Sequence, residues 1–288
     1  MGNPIVSINC LTYNHAPYIR QCLNGFIMQK TEFPFEVLIH DDASTDGTAD
    51  IIREYESKYP DLIKPIYQTE NQYSKGVKIS RIFNYPRIKG KYIAYCEGDD
   101  YWIDDSFLQT GIKFLEENTE YNCYAANTIY DNHITGEKKQ WVQDERCEQL
   151  GHDLSFANWK YLHVSARIYR KIIDVMEEIN KIPYAGEIIL WYKYMDIGKV
   201  YFDHKVASVY NITGKGVWSG ATKKYKFKRG TLSCLTGAKV TSLKYLDYFW
   251  RILPKNIFRK IIKNLFGIKF TFKLLGNVKY LTNYKKFY

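Results

Sequence analysis

Residues 92–102 form an apolar run that ends abruptly in acids: Tyr92-Ile93-Ala94-Tyr95-Cys96-Glu97-Gly98-Asp99-Asp100-Tyr101-Trp102. The apolar part, flanked by Gly90 and Gly98, predicts a buried strand. Three carboxylates end that strand, and Asp104 and Asp105 follow shortly after. Carboxylates this close repel one another unless a cation or hydrogen-bond donors neutralise them, and oxygen ligands suit a hard ion such as Mg²⁺ or Mn²⁺. We therefore expect a metal site that receives an anion such as a diphosphate. The alternative is an acidic loop that only caps the next helix, with Asp104 or Asp105 as the N-cap.

Around this segment, apolar runs alternate with helical patterns. The strand candidates are Pro4–Cys10, Phe35–His40, Leu62–Tyr67 and Lys91–Cys96, and the helix candidates are Tyr18–Met28, 44–59, Gly76–Tyr85 and Ser106–Asn118. Such alternation predicts an α/β fold with a parallel sheet and helices on its faces. Ligands of such sheets bind outside the carboxyl ends of the strands. Neither GxGxxG nor GxxxxGK[ST] occurs in the sequence, so a dinucleotide fingerprint and a P-loop are absent.

The second half of the chain is less regular and ends in a basic extension. Strands are expected at Tyr124–Tyr130, His163–Tyr169, Lys199–Phe202 and Val206–Tyr210, with helices at Lys171–Asn180 and Glu187–Met195. Residues 214–288 hold 18 of the 41 Lys and Arg residues, and only Asp247 opposes them. We expect a catalytic domain over 1–220, with halves 1–118 and 119–220, and a basic helical extension over 221–288.

Composition limits the cellular setting. The chain contains no apolar run of about 18 residues, so no spanning helix is expected, and its first residues lack the pattern of a secretory signal. The six cysteines show no CxxC pair, which favours reduced thiols in a cytoplasmic protein.

The basic extension has three interpretations. Apolar residues interleaved with Lys and Arg favour an amphipathic surface on an anionic membrane, which would place residues 243–288 at the inner face of the membrane. Nucleic-acid binding is a second interpretation, but no recognition motif accompanies the charge. Packing against the chain's own domain or a second subunit is the third.

Three motifs, in order, resemble those of the family 2 glycosyltransferases. The first strand and its Tyr-Asn turn are Val6-Ser7-Ile8-Asn9-Cys10-Leu11-Thr12-Tyr13-Asn14. The second strand leads into Asp41-Asp42-Ala43-Ser44-Thr45-Asp46-Gly47, close to the family's Asp-Asp-x-Ser-x-Asp signature. Gly90-Lys91-Tyr92-Ile93-Ala94, leading to Asp99-Asp100, is similar to the strand that carries a DXD-type motif. The resemblance implies the GT-A fold, a Rossmann-like mixed sheet flanked by helices, together with a nucleotide-sugar donor and inverting transfer.

On the donor side, the resemblance implies a role for five residues. Asp100 is expected to ligate Mn²⁺ or Mg²⁺, and Asp99 to hydrogen-bond the ribose or sugar of a donor, most simply a UDP-sugar. Asp42 resembles the residue that accepts the N3–H of uracil, but Asp41 and Asp42 could instead only cap the next helix. Tyr13 is expected either to stack on the base or to pack in the core. Trp102 is expected either to cover a sugar face or to lie in the core.

On the acceptor side, the match is looser. Glu187 follows Gly186 where the family keeps an acid at a helix start, so it is the candidate general base; a helix-dipole role is the alternative. Lys215 and Trp218 lie in a glycine-rich stretch and are expected to close over the diphosphate. Many members keep Arg and His just before that stretch, whereas this chain has Asn211-Ile212-Thr213.

The sequence therefore predicts a metal-dependent, inverting glycosyltransferase of cell-surface polysaccharide synthesis. It would act on a saccharide or lipid-linked acceptor, with no nucleic-acid partner. Two other classes stay open: a nucleotidyltransferase on a related scaffold, and a non-catalytic nucleotide- or membrane-binding module. The triphosphate loop that a nucleotidyltransferase needs after the first strand is missing, because Asn14-His15-Ala16-Pro17 stands there.

Overall fold

The protein is described here by a computed structural model. The described residues are 2–141, 163–182 and 197–214, together with 189–190, 193–194, 216 and 220–222. Within them, nine strands form one mixed sheet. The predicted mixed sheet flanked by helices is confirmed, while the predicted helical extension over 221–288 lies almost wholly outside the described residues.

The first half of the sheet is parallel. Its strands are β1 (Val6–Thr12), β2 (Phe35–Asp41), β3 (Ile63–Tyr67) and β4 (Tyr92–Tyr95), in the order β3-β2-β1-β4. Helix α1 (Ile19–Ile27) follows β1 and helix α2 (Thr48–Lys58) follows β2. A π-helical turn (Ser80–Asn84) and a 3-10 turn (Tyr85–Arg87) precede β4, where a short helix is predicted.

The order of these strands places a crevice between β1 and β4. The chain adds β2 and β3 on one side of β1 and then returns to add β4 on the other side. In open α/β sheets, ligands bind outside the carboxyl ends of the strands at such a reversal. The acidic residues after β4 therefore face the turn after β1.

The second half of the sheet is longer than the sequence predicts. Two predicted strands are one irregular strand, β9 (Lys199–Ile212), which pairs in parallel with β6 (Tyr121–Asn132). The remaining strands are β5 (Tyr101–Trp102), β7 (Lys138–Gln140) and β8 (Arg167–Arg170), and β8 joins β4 to β6 by antiparallel pairing. Helices α3 (Phe107–Glu117) and α4 (Ile173–Asn180) complete the described elements.

The two faces of β1 differ in chemistry. Val6, Ile8 and Cys10 belong to the apolar core, which α1 joins through a helical stripe of buried residues, Ile19, Cys22, Leu23 and Phe26. The alternate residues Ser7 and Asn9 are also buried, but they are hydrogen-bonded to Glu36, Ser80 and Asn84. The π-helical turn therefore closes the second face by satisfying polar groups.

The cap of α3 differs from the prediction. Ser106, not Asp104 or Asp105, immediately precedes the helix, and Asp104 accepts hydrogen bonds from the amide and hydroxyl of Ser106. Asp104 thus supports the helix start from one turn outside it.

Among the described residues, none of the helices has the length and apolarity that a membrane crossing requires.

Candidate functional site

A tight turn carries the acidic cluster past the end of β4. The amide of Gly98 donates to the carbonyl of Leu11 (2.9 Å), so the turn continues alongside β1. The amide of Asp100 donates to the carbonyl of Glu97 (3.0 Å). A Cβ on Gly98 would stand 2.7 Å from the Cβ of Thr12, so only glycine permits this close approach.

Asp100 is the buried member of the cluster. Its residue is 1% exposed, and both carboxylate oxygens accept hydrogen bonds. The Ser165 hydroxyl donates to Oδ2, and the Asn211 amide donates to Oδ1 (3.1 Å). Ser165 and Asn211 lie 65 and 111 residues away in the sequence. Asp100 thus ties β4 to β8 and β9.

Glu97 and Asp99 face the crevice. Glu97 is exposed and Asp99 is half-buried, and one oxygen from each of Glu97, Asp99 and Asp100 lies within 4.8 Å of the others. Burial raises the pKa of Asp100, and the charges of Asp99 and Glu97 raise it further. A donor set of three mutually repelling carboxylates fits a hard divalent cation.

Two histidines border the acids. The Nδ1 atom of His163 lies 3.7 Å from Asp100 Oδ2 and accepts from the Ser165 amide (3.3 Å). Burial lowers the pKa of His163 to about 3, so its ring is neutral there. The Nε2 atom of His15 lies 3.8 Å from Asp99 Oδ2. The sequence does not single out either residue, because neither belongs to a histidine pair at metal-binding spacing.

The Asp-Asp-x-Ser-x-Asp signature holds the turn after β1 in place. The Asn14 amide donates to Ser44 Oγ (2.8 Å), and the Thr45 amide donates back to Asn14 Oδ1 (2.8 Å). Asp46 accepts from the Ala16 amide (3.0 Å). Asn14 and Ala43 both have positive φ, at 55° and 63°, a left-handed conformation that costs a non-glycine residue energy and is concentrated at functional sites.

Asp42 anchors the loop that follows β3. Its oxygens accept from the backbone amides of Gln72 (2.8 Å) and Tyr73 (3.0 Å), and its residue is 2% exposed. Tyr13, in contrast, is 44% exposed beside the carboxyl end of β1. The structure therefore brings the predicted base-binding pair to the β1 and β2 side of the acids.

Trp102 lies in the core, the second of its two expected positions, and does not cover a sugar face. The residue is 1% exposed, and its ring packs edge-on against Phe26 (5.1 Å) and Phe107 (5.0 Å). Its Nε1 donates to the Ser165 carbonyl (2.6 Å). Its neighbour Tyr101 is half-buried, so strand alternation sends Trp102 to the core face of β5.

Asn211 lies where many family members are expected to carry a basic residue, Arg or His. In this chain it is hydrogen-bonded to the acidic turn. Besides its amide bond to Asp100, its Nδ2 donates to the Asp99 carbonyl (2.6 Å). Its Oδ1 lies 2.9 Å from His133 Nε2. The departure from the family pattern at 211 thus coincides with a direct contact to the acids.

A cluster of aromatic rings lies on the β6 and β9 side of the acids. Tyr210 stacks on His163 with ring centroids 4.1 Å apart, and Trp141 lies 6.0 Å from Tyr210 and 5.7 Å from Tyr130. These four residues are half-buried and are called the aromatic wall below. The wall borders the acids, because His163 Nδ1 lies 3.7 Å from Asp100 Oδ2. Burial raises the pKa of Tyr210, and the charges of the three carboxylates raise it further.

Glu187, Lys215 and Trp218 lie outside the described residues, and their predicted roles stay predictions. The residues that follow Glu187 are anchored where they are described. Ile189 and Leu190 are buried, and the Tyr194 hydroxyl donates to the Arg170 carbonyl at the end of β8.

This architecture defines a class: a mixed sheet with a carboxylate cluster after β4, at the point where the strand order reverses, is the GT-A fold of glycosyltransferases. The chain is similar to the mannosyltransferase PcManGT from Pyrobaculum calidifontis, in complex with GDP-Man and Mn²⁺, with a TM-score of 0.64 and 17% identity over 99% of this chain and 82% of that one. It is also similar to S. aureus TarS 1–349 in complex with UDP-GlcNAc, with a TM-score of 0.59 and 19% identity over 84% of this chain and 68% of that one.

The chain belongs to Glycosyl transferase family 2, whose profile matches residues 7–204. It is 33% identical over 231 residues to the uncharacterized protein Mb1547 of Mycobacterium bovis, covering 77% of this chain but only 63% of that protein. It is also 33% identical over 116 residues to the putative teichuronic acid biosynthesis glycosyltransferase TuaG of Bacillus subtilis, covering 40% of this chain and 44% of that protein. The chain thus spans less than two thirds of the length of these relatives.

Proposed function

We propose that this protein is a metal-dependent, inverting glycosyltransferase that uses a nucleoside-diphosphate sugar. The observation that carries the proposal is the cluster of Glu97, Asp99 and Asp100, whose oxygens converge within 4.8 Å at the crevice between β1 and β4. An acid-bound cation at a topological switch point is suited to a diphosphate leaving group.

On the metal side, we propose Asp99 rather than Asp100 as the principal ligand, with Glu97 beside it. Each Asp100 oxygen already accepts one hydrogen bond, from Ser165 or Asn211, and the residue is buried, whereas Asp99 is half-buried. Asp100 is therefore proposed to position the turn that presents Asp99. When bound, Mn²⁺ or Mg²⁺ supplies Lewis-acid stabilisation of the departing diphosphate. The three carboxylates hold the charge that attracts the ion, and Gly98 allows their turn to approach β1.

At the nucleotide end, Tyr13 and Asp42 are proposed to hold the base. The exposed Tyr13 ring offers a face for stacking. Each Asp42 oxygen has one lone pair in use by a loop amide and a second that can accept an imide N–H. This supports a uridine nucleotide, in keeping with the UDP-GlcNAc complex of TarS.

At the acceptor end, we propose that the aromatic wall receives a saccharide. Half-buried aromatic faces bind the apolar faces of sugars, and these rings flank the acids on the side opposite Tyr13. Glu187 is proposed to take the proton of the acceptor hydroxyl as that hydroxyl attacks the anomeric carbon opposite the leaving group. Lys215 and Trp218 are proposed to close over the diphosphate.

Cell-surface polysaccharide synthesis is the proposed setting. TuaG is named for teichuronic acid biosynthesis, and a relative in Escherichia coli is named a glucosyltransferase acting on a diphosphoundecaprenol-linked sugar. These names support a saccharide or lipid-linked acceptor. Family membership weighs against the nucleotidyltransferase alternative, and turnover separates the enzyme from a non-catalytic binding module.

The test is hydrolysis of UDP-, GDP- and dTDP-sugars with Mn²⁺, with EDTA, and in Asp99→Ala. The proposal expects nucleoside-diphosphate release from one donor class that EDTA and the substitution both abolish. Full activity with EDTA contradicts the metal role. Pyrophosphate release from UTP would instead favour nucleotidyl transfer, and binding without turnover against a panel of acceptors would favour a binding module.

The basic extension is proposed to dock on an anionic membrane at the inner face of the cell membrane. The support is its composition: 18 Lys and Arg residues against one acid over 214–288. Co-sedimentation of the full chain with phosphatidylglycerol vesicles should exceed that with phosphatidylcholine vesicles. Charge reversal at Arg259, Lys260 and Lys263 should remove the difference, and equal binding to both lipids would contradict the proposal.

A further inference from the structure

His15 is held rigidly in the turn between β1 and α1. Its backbone amide donates to Thr48 Oγ1 (2.8 Å), and its carbonyl accepts from the amides of Tyr18 and Ile19 (both 2.8 Å). The imidazole is 19% exposed and lies against Gly98, where a Cβ would come within 3.1 Å of Nδ1. The ring therefore occupies the space that the missing side chain of Gly98 leaves beside the acidic turn.

The two ring nitrogens of His15 have different surroundings. Nδ1 is buried, and among the described residues it has no hydrogen-bond partner. The hydroxyl of Thr12 is likewise buried and unpaired, and it lies on the same side of Gly98, 2.8 Å from the same virtual Cβ. Neither atom has a hydrogen-bond partner among the described residues, so Nδ1 is not tied to another group and Nε2 is the ring nitrogen that meets the acids.

Nε2 faces the acids, and in the tautomer protonated at Nδ1 it carries the lone pair that a metal ion needs. Its distance of 3.8 Å to Asp99 Oδ2 is too long for a hydrogen bond. Nitrogen and oxygen ligands at about 2.0–2.2 Å from one ion stand roughly 3–3.5 Å apart at common bond angles. A small rotation of either side chain brings the pair into that range.

We propose that His15 is a nitrogen ligand of the metal that Glu97 and Asp99 bind, so that the centre is mixed imidazole–carboxylate. This inference rests on the proposed metal-dependent function. Because imidazole favours later transition ions whereas carboxylates favour Mg²⁺ and Ca²⁺, the centre should prefer Mn²⁺ or Co²⁺ to Mg²⁺.

The test is electron spin-echo spectroscopy of Mn²⁺ bound to the full chain, alone and with UDP, GDP or dTDP. The proposal expects nitrogen modulation from a directly bound imidazole, which changes to a ¹⁵N pattern in protein labelled with ¹⁵N-histidine. This measurement needs no variant. Absence of nitrogen coupling in a Mn²⁺-bound sample overturns the proposal.

Variants give an independent readout in metal affinity. His15→Gln should weaken Mn²⁺ binding by at least the 10- to 100-fold that loss of a ligand's supporting partner costs, and should lower the Co²⁺-to-Mg²⁺ affinity ratio (about 10-fold or more). His204→Gln is the matched control, since His204 packs beside Phe202 (5.2 Å) on β9 and should leave both unchanged.

The outcomes separate this inference from the proposed function. If Asp99→Ala abolishes Mn²⁺ binding but His15→Gln does not weaken it, the metal site stands and the role of His15 is wrong. If His15→Gln weakens only nucleotide binding, the imidazole contacts the diphosphate and the proposal is also overturned. If Mn²⁺ does not bind even with nucleotide, the metal-dependent function itself fails.

Discussion

At the scale of single residues, adjacent carboxylates have different tasks. Asp99 lies half-buried at the crevice, whereas Asp100 is buried and bonded through both oxygens to Ser165 and Asn211. Asp100 thus holds the turn that carries Asp99. The choice between them cannot be made from the Asp99-Asp100 dipeptide alone, because the partners of Asp100 lie 65 and 111 residues further along the chain.

The two acids should separate stability from activity. Asp99→Asn should reduce Mn²⁺-dependent donor hydrolysis by roughly 100-fold or more, because Lewis-acid catalysis is worth several kcal/mol, and should leave Tm unchanged or slightly higher. In Asp100→Asn an NH₂ group replaces one of the two oxygens that accept hydrogen bonds from the Asn211 amide and the Ser165 hydroxyl. The substitution should therefore lower the free energy of unfolding by about 1–3 kcal/mol. Hydrolysis assays and urea unfolding measure the two effects. Equal losses of stability would contradict this division.

Trp102 provides a second residue-scale prediction. Trp102→Ala should lower the free energy of unfolding by about 3–5 kcal/mol, since it empties a fully buried site beside Phe26 and Phe107. Trp102→Phe keeps an aromatic ring but leaves the Ser165 carbonyl without its hydrogen bond from Nε1. It should therefore lower the free energy of unfolding by less than Trp102→Ala does. Denaturant unfolding gives the order. If Trp102→Ala raised only the KM for donor, the ring would be at the site rather than in the core.

At the scale of elements, the parallel half could be predicted and the junctions could not. β1 to β4 were predictable because each lies in a short, mostly apolar run between helical patterns, and the carboxyl ends of parallel strands meet at one edge. The choice between site and core for Trp102 stayed open because β5 has two residues, too few to show alternation. The position of His15 near Asp99 could not be predicted from the sequence, because it depends on the pairing of β1 with β4 and on the close approach at Gly98.

The packing of α1 on β5 can be tested at Gly25. A Cβ there would stand 2.9 Å from the backbone nitrogen of Trp102 and 3.0 Å from its oxygen. Gly25→Ala improves helix propensity by about 1 kcal/mol, but the clash with backbone should dominate and destabilise the protein by about 1–3 kcal/mol. Gln21→Ala, at an exposed position of the same helix, should change stability by no more than about 0.5 kcal/mol. Thermal unfolding of both variants measures these stability changes. A Gly25→Ala variant more stable than the wild type would refute the close contact between α1 and β5.

At the scale of the whole molecule, acid should weaken the fold through buried histidine. His40 is wholly buried; its Nε2 contacts Gln68 Nε2 (3.1 Å), and its Nδ1 has no partner among the described residues. Burial lowers the pKa of His40 from 6.5 to about 4. As the pH falls, His40 is therefore protonated near pH 6.5 in the unfolded chain but only near pH 4 in the folded chain. The free energy of unfolding is highest above pH 6.5 and decreases as the pH falls from 6.5 to about 4.

The measurement is urea unfolding of the wild type and His40→Gln at pH 7 and pH 5. The wild type should lose about 2 kcal/mol more than the variant between these two values. His40→Gln keeps a polar side chain of similar length, so a lower stability of the variant at pH 7 does not disturb the comparison. If the free energy of unfolding depended on pH equally in both proteins, His40 would not be the residue whose pKa is lowered on folding.

The acidic turn after β4 is proposed to bind a cation together with a nucleotide sugar. Thermal shift of the full chain with UDP-, GDP- and dTDP-sugars, each with and without Mn²⁺, tests it most directly, because a specific ligand stabilises the folded state by mass action. We predict that one donor class raises Tm only when Mn²⁺ is present, and that Asp99→Ala abolishes the rise. A rise of equal size without metal, or in Asp99→Ala, would contradict the claim.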